Sequence, residues 1–139
     1  IGFEPLIFGS DGFDGILDVD NFDKSLAEGV MFLTPFSTNS TDELTQNFVQ
    51  KYEEQFGGTP NQFAADAYDS VYVIKQAAEQ AGLTADMSAS EMCDALKTAM
   101  TEISFTGLTG KDIQWGADGE PQKAPIVVQV ENGEYQILQ

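Results

Sequence analysis

Histidine is missing from the chain, cysteine occurs once, and Lys and Arg together number only 6. Each shortage removes a class of chemistry. Without imidazole there is no Ser-His-Asp triad, no His-containing zinc set, and no side chain whose ordinary pKa suits it to general-base work near neutrality. Any catalysis would rest on carboxylates, Tyr, Lys or the lone thiol. Cys93 has no partner for a disulfide within the chain, and its neighbours Met92 and Leu96 lead us to expect a buried, inert thiol in a helix interior. Against the 6 basic residues stand 23 acidic ones, a net charge of −17, which repels phosphate backbones and anionic membrane surfaces. Nucleic acid is not an expected partner. No run approaches the roughly 18 apolar residues of a membrane span, and no basic-then-apolar leader opens the chain. Ile1 stands in an apparent strand without a preceding Met, so the expectation is a piece of a longer protein whose targeting segment lies upstream. What is present is globular: 139 residues, 42% apolar, with 10 Phe, sufficient for a core.

The opening Leu6-Ile7-Phe8-Gly9-Ser10-Asp11-Gly12 is an apolar strand ending in a glycine-flanked carboxylate. Two readings fit it. Gly9 to Gly12 can be an ordinary turn whose Asp caps the backbone. Alternatively, Asp11 leaves the carboxyl end of a strand, where open α/β sheets bind small molecules, and the glycines admit a ligand closely. A cationic group would complement that carboxylate.

Further along, Gly29 to Pro35 reads as a second buried strand that Pro35 ends. Ser40-Thr41-Asp42-Glu43 has the capping-box pattern, and Leu44, Phe48, Tyr52 and Phe56 follow at spacing four, predicting an amphipathic helix closed by Gly57-Gly58. After Pro60, Ala64, Tyr68, Val71, Ile74, Ala78 and Ala81 trace one face of a longer helix ending at Gly82. Ser88-Ala89-Ser90-Glu91 repeats the capping-box pattern before a third helix with Met92, Leu96, Ala99 and Ile103 inward. From Phe105 the composition turns to glycine and β-branched residues. Strands are predicted at 112–115 and 126–130 with a turn over 117–121, and Asn132-Gly133 signals a hairpin into Tyr135–Leu138.

This order of motifs resembles a known family. Phe8-Gly9-Ser10-Asp11-Gly12, Ala27-Glu28-Gly29-Val30 running into Thr34-Pro35, the helical block from Phe48-Val49-Gln50-Lys51-Tyr52 to Ala67-Tyr68-Asp69, and Phe105-Thr106-Gly107-Leu108-Thr109-Gly110 before Asp118-Gly119 are similar to the C-terminal portion of type I periplasmic-binding-protein-like solute-binding proteins. The group is that of the branched-chain amino acid (Leu/Ile/Val) ABC importers. The resemblance covers essentially the whole chain and implies an α/β fold of two Rossmann-like lobes. It implies that about 1–34 and 111–139 supply second-lobe strands and that 35–110 form a first-lobe helical block. An amino acid would be held between the lobes, and lobe closure would signal loading to permease subunits. The location implied is extracytoplasmic, either periplasmic or lipid-anchored, with no enzymatic activity, cofactor or metal. Residue by residue, the resemblance assigns Asp11 to the ligand ammonium and Phe63 to an aromatic contact with the ligand side chain, while a place in the core at the helix start fits Phe63 equally. Ser10, Gly12 and Phe13 are implied as cleft neighbours, Tyr68 and Asp69 as packing and capping residues. The Ser/Thr grip on the ligand carboxylate is expected upstream of this chain.

Other readings fit some of the same residues. Asp11, Asp14, Asp18, Asp20 and Asp23 suggest a calcium loop, but counting from Asp18 puts Phe22 at a ligand position and Asp23 where the loop needs Gly. Asp11 and Asp14 could serve as a glycosidase acid/base pair, although spacing three in a glycine turn does not set their separation. A sensory ligand-binding domain would keep the fold and change the role. A domain-swapped homodimer would form if exposed strand edges paired between copies.

Overall fold

The computed structural model describes residues 2–138; Ile1 and Gln139, the outermost residues of the expected second-lobe segments, lie outside the described residues. The elements run β1 (Phe8–Gly9), β2 (Met31–Thr34), α1 (Glu43–Phe56), α2 (Gln62–Ala81), α3 (Ala89–Met100), β3 (Gln114–Trp115), β4 (Pro121–Gln122), β5 (Ile126–Glu131) and β6 (Glu134–Ile137). They fall into two compact units, one reaching to Phe63 and resuming at Pro125, the other spanning Ala64–Ala124.

The first unit carries a four-stranded sheet in the order β1-β2-β5-β6. β1 runs parallel to β2, whereas β2–β5 and β5–β6 are antiparallel. Of the predicted opening strand, only Phe8 and Gly9 pair; Leu6, Ile7 and Phe8 are exposed. Phe32 is fully buried, stacked on Phe13 at 6.4 Å and met edge-on by Tyr135 at 5.3 Å. Leu17, Ala27, Val30 and Val130 complete this core. At the β5–β6 turn, Asn132 and Gly133 take φ of 55° and 74°, the left-handed pair that a two-residue hairpin requires. The Glu28 carboxylate accepts from both backbone N–H groups there, at 3.0 and 2.6 Å.

The α1 start differs from expectation. Asp42 is the N-cap and accepts from the Thr45 N–H at 2.9 Å, while the Ser40 hydroxyl donates to Asp42 at 2.5 Å. An ionised carboxylate outcompetes a hydroxyl as acceptor for the first-turn donors, so no Ser40–Glu43 box forms. Along α1 the aromatic residues form a ladder from Phe36 through Phe48 and Tyr52 to Phe56, with ring separations of 6.0, 5.8 and 4.7 Å.

The second unit packs Val73 and Ala77 of α2 against Ala99, Ile103, Phe105 and Ile113. Ala65, Asp69, Val73 and Ala77 are the buried face of α2, so the expected stripe is displaced: Val71 and Ile74 are exposed. Four-residue steps from Ala65 pick out a neighbouring stripe that carries a polar Asp69, and hydrophobicity alone passes over it. The Asp69 carboxylate accepts from the Leu108 and Thr109 N–H groups at 2.9 and 2.8 Å and from the Thr109 hydroxyl at 2.8 Å. A Cβ at Gly107 would lie 2.4 Å from Asp69 Oδ1, which explains the glycine. The Ser88–Glu91 capping box is present at the start of α3. Cys93, one residue round the helix from half-buried Met92, is exposed, correcting the expected buried thiol. Pro121, expected in a turn, pairs with Trp115 in the β3–β4 ribbon. Among the described residues no helix is long and apolar enough to cross a membrane.

Candidate functional site

The segment after β1 is held in one conformation by groups from three directions. At its start, a Cβ on Gly9 would fall 2.3 Å from the Phe13 ring, so only glycine lets the chain fold back over that ring. Residues Asp11–Phe13 form a 3₁₀ turn closed by Phe13 N–H to Ser10 O at 3.1 Å and Asp14 N–H to Asp11 O at 3.0 Å. Gly15, at φ 86°, reverses the chain into a second short turn, Ile16–Asp18.

Gln62, the first residue of α2 and fully buried, reaches this turn with both its backbone and its side chain. Its N–H donates to Asp14 Oδ2 at 2.6 Å, and its Nε2 donates to the Asp11 carbonyl at 3.0 Å. Its Oε1 lies 3.0 Å from the Thr34 hydroxyl at the end of β2 and shares that hydroxyl's one proton with the Phe36 carbonyl, also at 3.0 Å. Because the Asp11 carbonyl can only accept, the amide nitrogen must face it and the amide oxygen must face Thr34. From the other side, the Tyr135 hydroxyl accepts from Gly15 and Leu17 N–H at 3.2 and 3.3 Å. Burial pushes the Asp14 carboxyl above its usual range, with the charge of Asp18 adding to the effect and hydrogen bonds from Gln62 and Gly15 opposing it. Burial likewise raises Tyr135, assisted by the charges of Asp14 and Asp18.

Ser10, Asp11 and Gly12 stand together on the exposed side of this turn. Gly12 faces open space, since an added Cβ meets nothing within 4 Å. Phe13 is half-buried, its ring packed against Phe32 and Gly9. Phe63 follows Gln62 in the first turn of α2 and is 51% exposed. A cleft of about 330 Å³ in the same unit is lined in part by Asp14, Thr34 and Tyr135, so the network that fixes the turn also borders open volume. Among the described residues no group of three or more His, Cys, Asp or Glu could hold a metal ion. Asp14 and Asp11 differ in kind, one half-buried and committed to a helix N-terminus, the other exposed. Sequence reasoning did not single out Gln62, Tyr135 or Glu28. A buried amide or phenol leaves no periodic signature, and the only available signal was the placement of Gln62 just after Pro60, where a helix begins.

Solved structures share this fold. The branched-chain amino acid transporter substrate binding protein LivJ from Streptococcus pneumoniae, solved in complex with isoleucine, is similar over 99% of this chain and 38% of its own, with 27% identity and a TM-score of 0.76. The leucine binding protein LivK from Thermotoga maritima is similar over 99% of this chain and 37% of its own, at 23% identity and a TM-score of 0.75. A solute binding protein from R. palustris in complex with benzoate is similar over 90% of this chain and 32% of its own, at 18% identity and a TM-score of 0.71. The chain therefore spans less than half the length of these proteins. No curated protein sequence matches it. The α/β arrangement is that of type I periplasmic binding proteins. The family model described as periplasmic binding protein matches residues 7–134, and the chain belongs to that family.

Proposed function

We propose that this chain is part of an extracytoplasmic solute-binding component of an ABC importer that captures an amino acid, of the branched-chain class, between two lobes. The single observation that supports it most is the 27% identity and matching fold shared with a branched-chain amino acid binding protein solved with isoleucine. In this reading, residues 1–34 and 111–139 serve one lobe and 35–110 the other. Asp11 neutralises the ligand ammonium, Phe63 contributes apolar contact, and Ser10, Gly12 and Phe13 border the cleft. The chemistry is consistent: an exposed carboxylate on a braced turn loses little conformational freedom on meeting a cation, and a charge-assisted bond of this kind contributes about 1.5–3 kcal/mol. No covalent step and no bound metal is required for capture by closure.

The test is calorimetric titration with leucine, isoleucine and valine, run on this chain and on the polypeptide as it is made in the cell. Binding of at least one of these ligands is expected, and Asp11→Ala should weaken it about 10- to 100-fold, the equivalent of one charge-assisted hydrogen bond. Unchanged affinity in Asp11→Ala would remove the carboxylate from the site. Binding only of amine-free acids would remove the amino acid reading altogether.

A further inference from the structure

We infer that Gln62 is a positioning residue for ligand capture: its side-chain amide holds the Asp11 carbonyl and thereby sets where the Asp11 carboxylate meets a ligand amine. The inference rests on the proposed role of Asp11 and goes one residue further. Gln62 is fully buried, and each of its side-chain polar atoms has one specific partner, Nε2 with Asp11 O and Oε1 with the Thr34 hydroxyl, both at 3.0 Å. Its own N–H is bonded to Asp14 Oδ2, three residues beyond Asp11 in the same turn. The amide is thus a rigid strut between the end of β2 and the tip of the turn, and its backbone ties the turn's base to the start of α2. The Asp11 carbonyl also accepts the Asp14 N–H of its own turn at 3.0 Å, which shapes the exposed turn locally, whereas the Gln62 strut ties that carbonyl to the end of β2 and so sets where the turn stands. Small displacements of a positioned charge are costly, because directional hydrogen bonds weaken steeply away from their preferred geometry.

Two substitutions separate positioning from bulk. Gln62→Met and Gln62→Leu both fill much of the same volume without hydrogen bonds, one with a flexible and one with a branched side chain, so neither can donate to the Asp11 carbonyl. Affinities for leucine and for its amine-free analogue 4-methylpentanoate are measured in the wild-type polypeptide, in each variant, in Asp11→Ala and in the double variants. Each Gln62 variant is expected to lose about 10-fold in leucine affinity, one well-made hydrogen bond's worth, and to leave the weak affinity for the analogue unchanged. Added to Asp11→Ala, neither should cause further loss, since groups acting through one contact are not additive. If Asp11→Ala weakens leucine binding while the folded Gln62 variants bind as wild type, or if the two losses multiply, the positioning role is overturned and the role of Asp11 stands. If Asp11→Ala itself binds leucine as wild type, both fall. Should Gln62→Met not fold, as judged by its circular dichroism melt, Gln62→Leu carries the comparison alone.

Discussion

Asp14 makes the clearest electrostatic prediction among the individual residues. Burial raises its folded-state pKa, so folding favours the protonated carboxyl. Its contribution to stability is therefore fully present below the ordinary carboxylate range and is lost as pH rises through the elevated folded value. Asp14→Asn keeps an acceptor for the Gln62 N–H without a charge to bury. The melting temperature of this variant relative to wild type is expected to be higher at pH 7 than at pH 4, and a difference that does not change with pH would refute the assignment. In the sequence Asp14 fits only an acidic run over Asp11–Asp23 or an acid/base pair with Asp11, because a carboxylate in a glycine turn looks alike whether it faces water or caps a distant helix.

Helix caps show how far local patterns reach among the elements. Ser40 to Glu43 and Ser88 to Glu91 have the same spacing, yet only the second forms a capping box. An Asp two residues after Ser40 decides the difference. Partial burial alone would raise Asp42, but hydrogen bonds from Ser40, Thr45 and Leu44 overcome it and lower the carboxyl below its usual range. Its stabilising contribution is thus present above the ordinary carboxylate range and is lost as pH falls through the depressed value, opposite in sense to Asp14. In urea titrations near pH 7, Asp42→Ala is expected to cost about 1 kcal/mol and Ser40→Ala distinctly less; equal costs would return the cap to Ser40. The strands at Met31–Thr34 and Ile126–Glu131, the three helices and the Asn132-Gly133 hairpin all follow from patterns a few residues long. What escaped depends on groups far apart in the chain: the buried face of α2, chosen by Asp69 reaching Leu108 and Thr109, and the Asp11 turn, held by residues 62 and 135.

Charge is the property of the chain taken together. With 23 acidic and 6 basic residues, mutual repulsion opposes compaction. Among the described residues only two ion pairs offset it, Lys75–Glu79 and Lys123–Asp66. Added salt is expected to raise the melting temperature, most steeply up to about 0.15 M, where the Debye length has shortened to ~8 Å. A melting temperature that falls over this range, followed by circular dichroism in NaCl and again in KCl, would show that specific pairs outweigh the general repulsion. One further consequence follows from the division of the chain. Ala64–Ala124 is continuous, whereas the other unit needs residues from before Phe63 and after Pro125, with β2 flanked by β1 on one side and β5 on the other. During synthesis the continuous unit has all its parts first, and one side of β2 stays open until β5 and β6 have emerged from the ribosome. The interval between those events is when the ring of Phe32, buried in the finished fold, still lacks its edge-on partner Tyr135 and is open to non-native contacts.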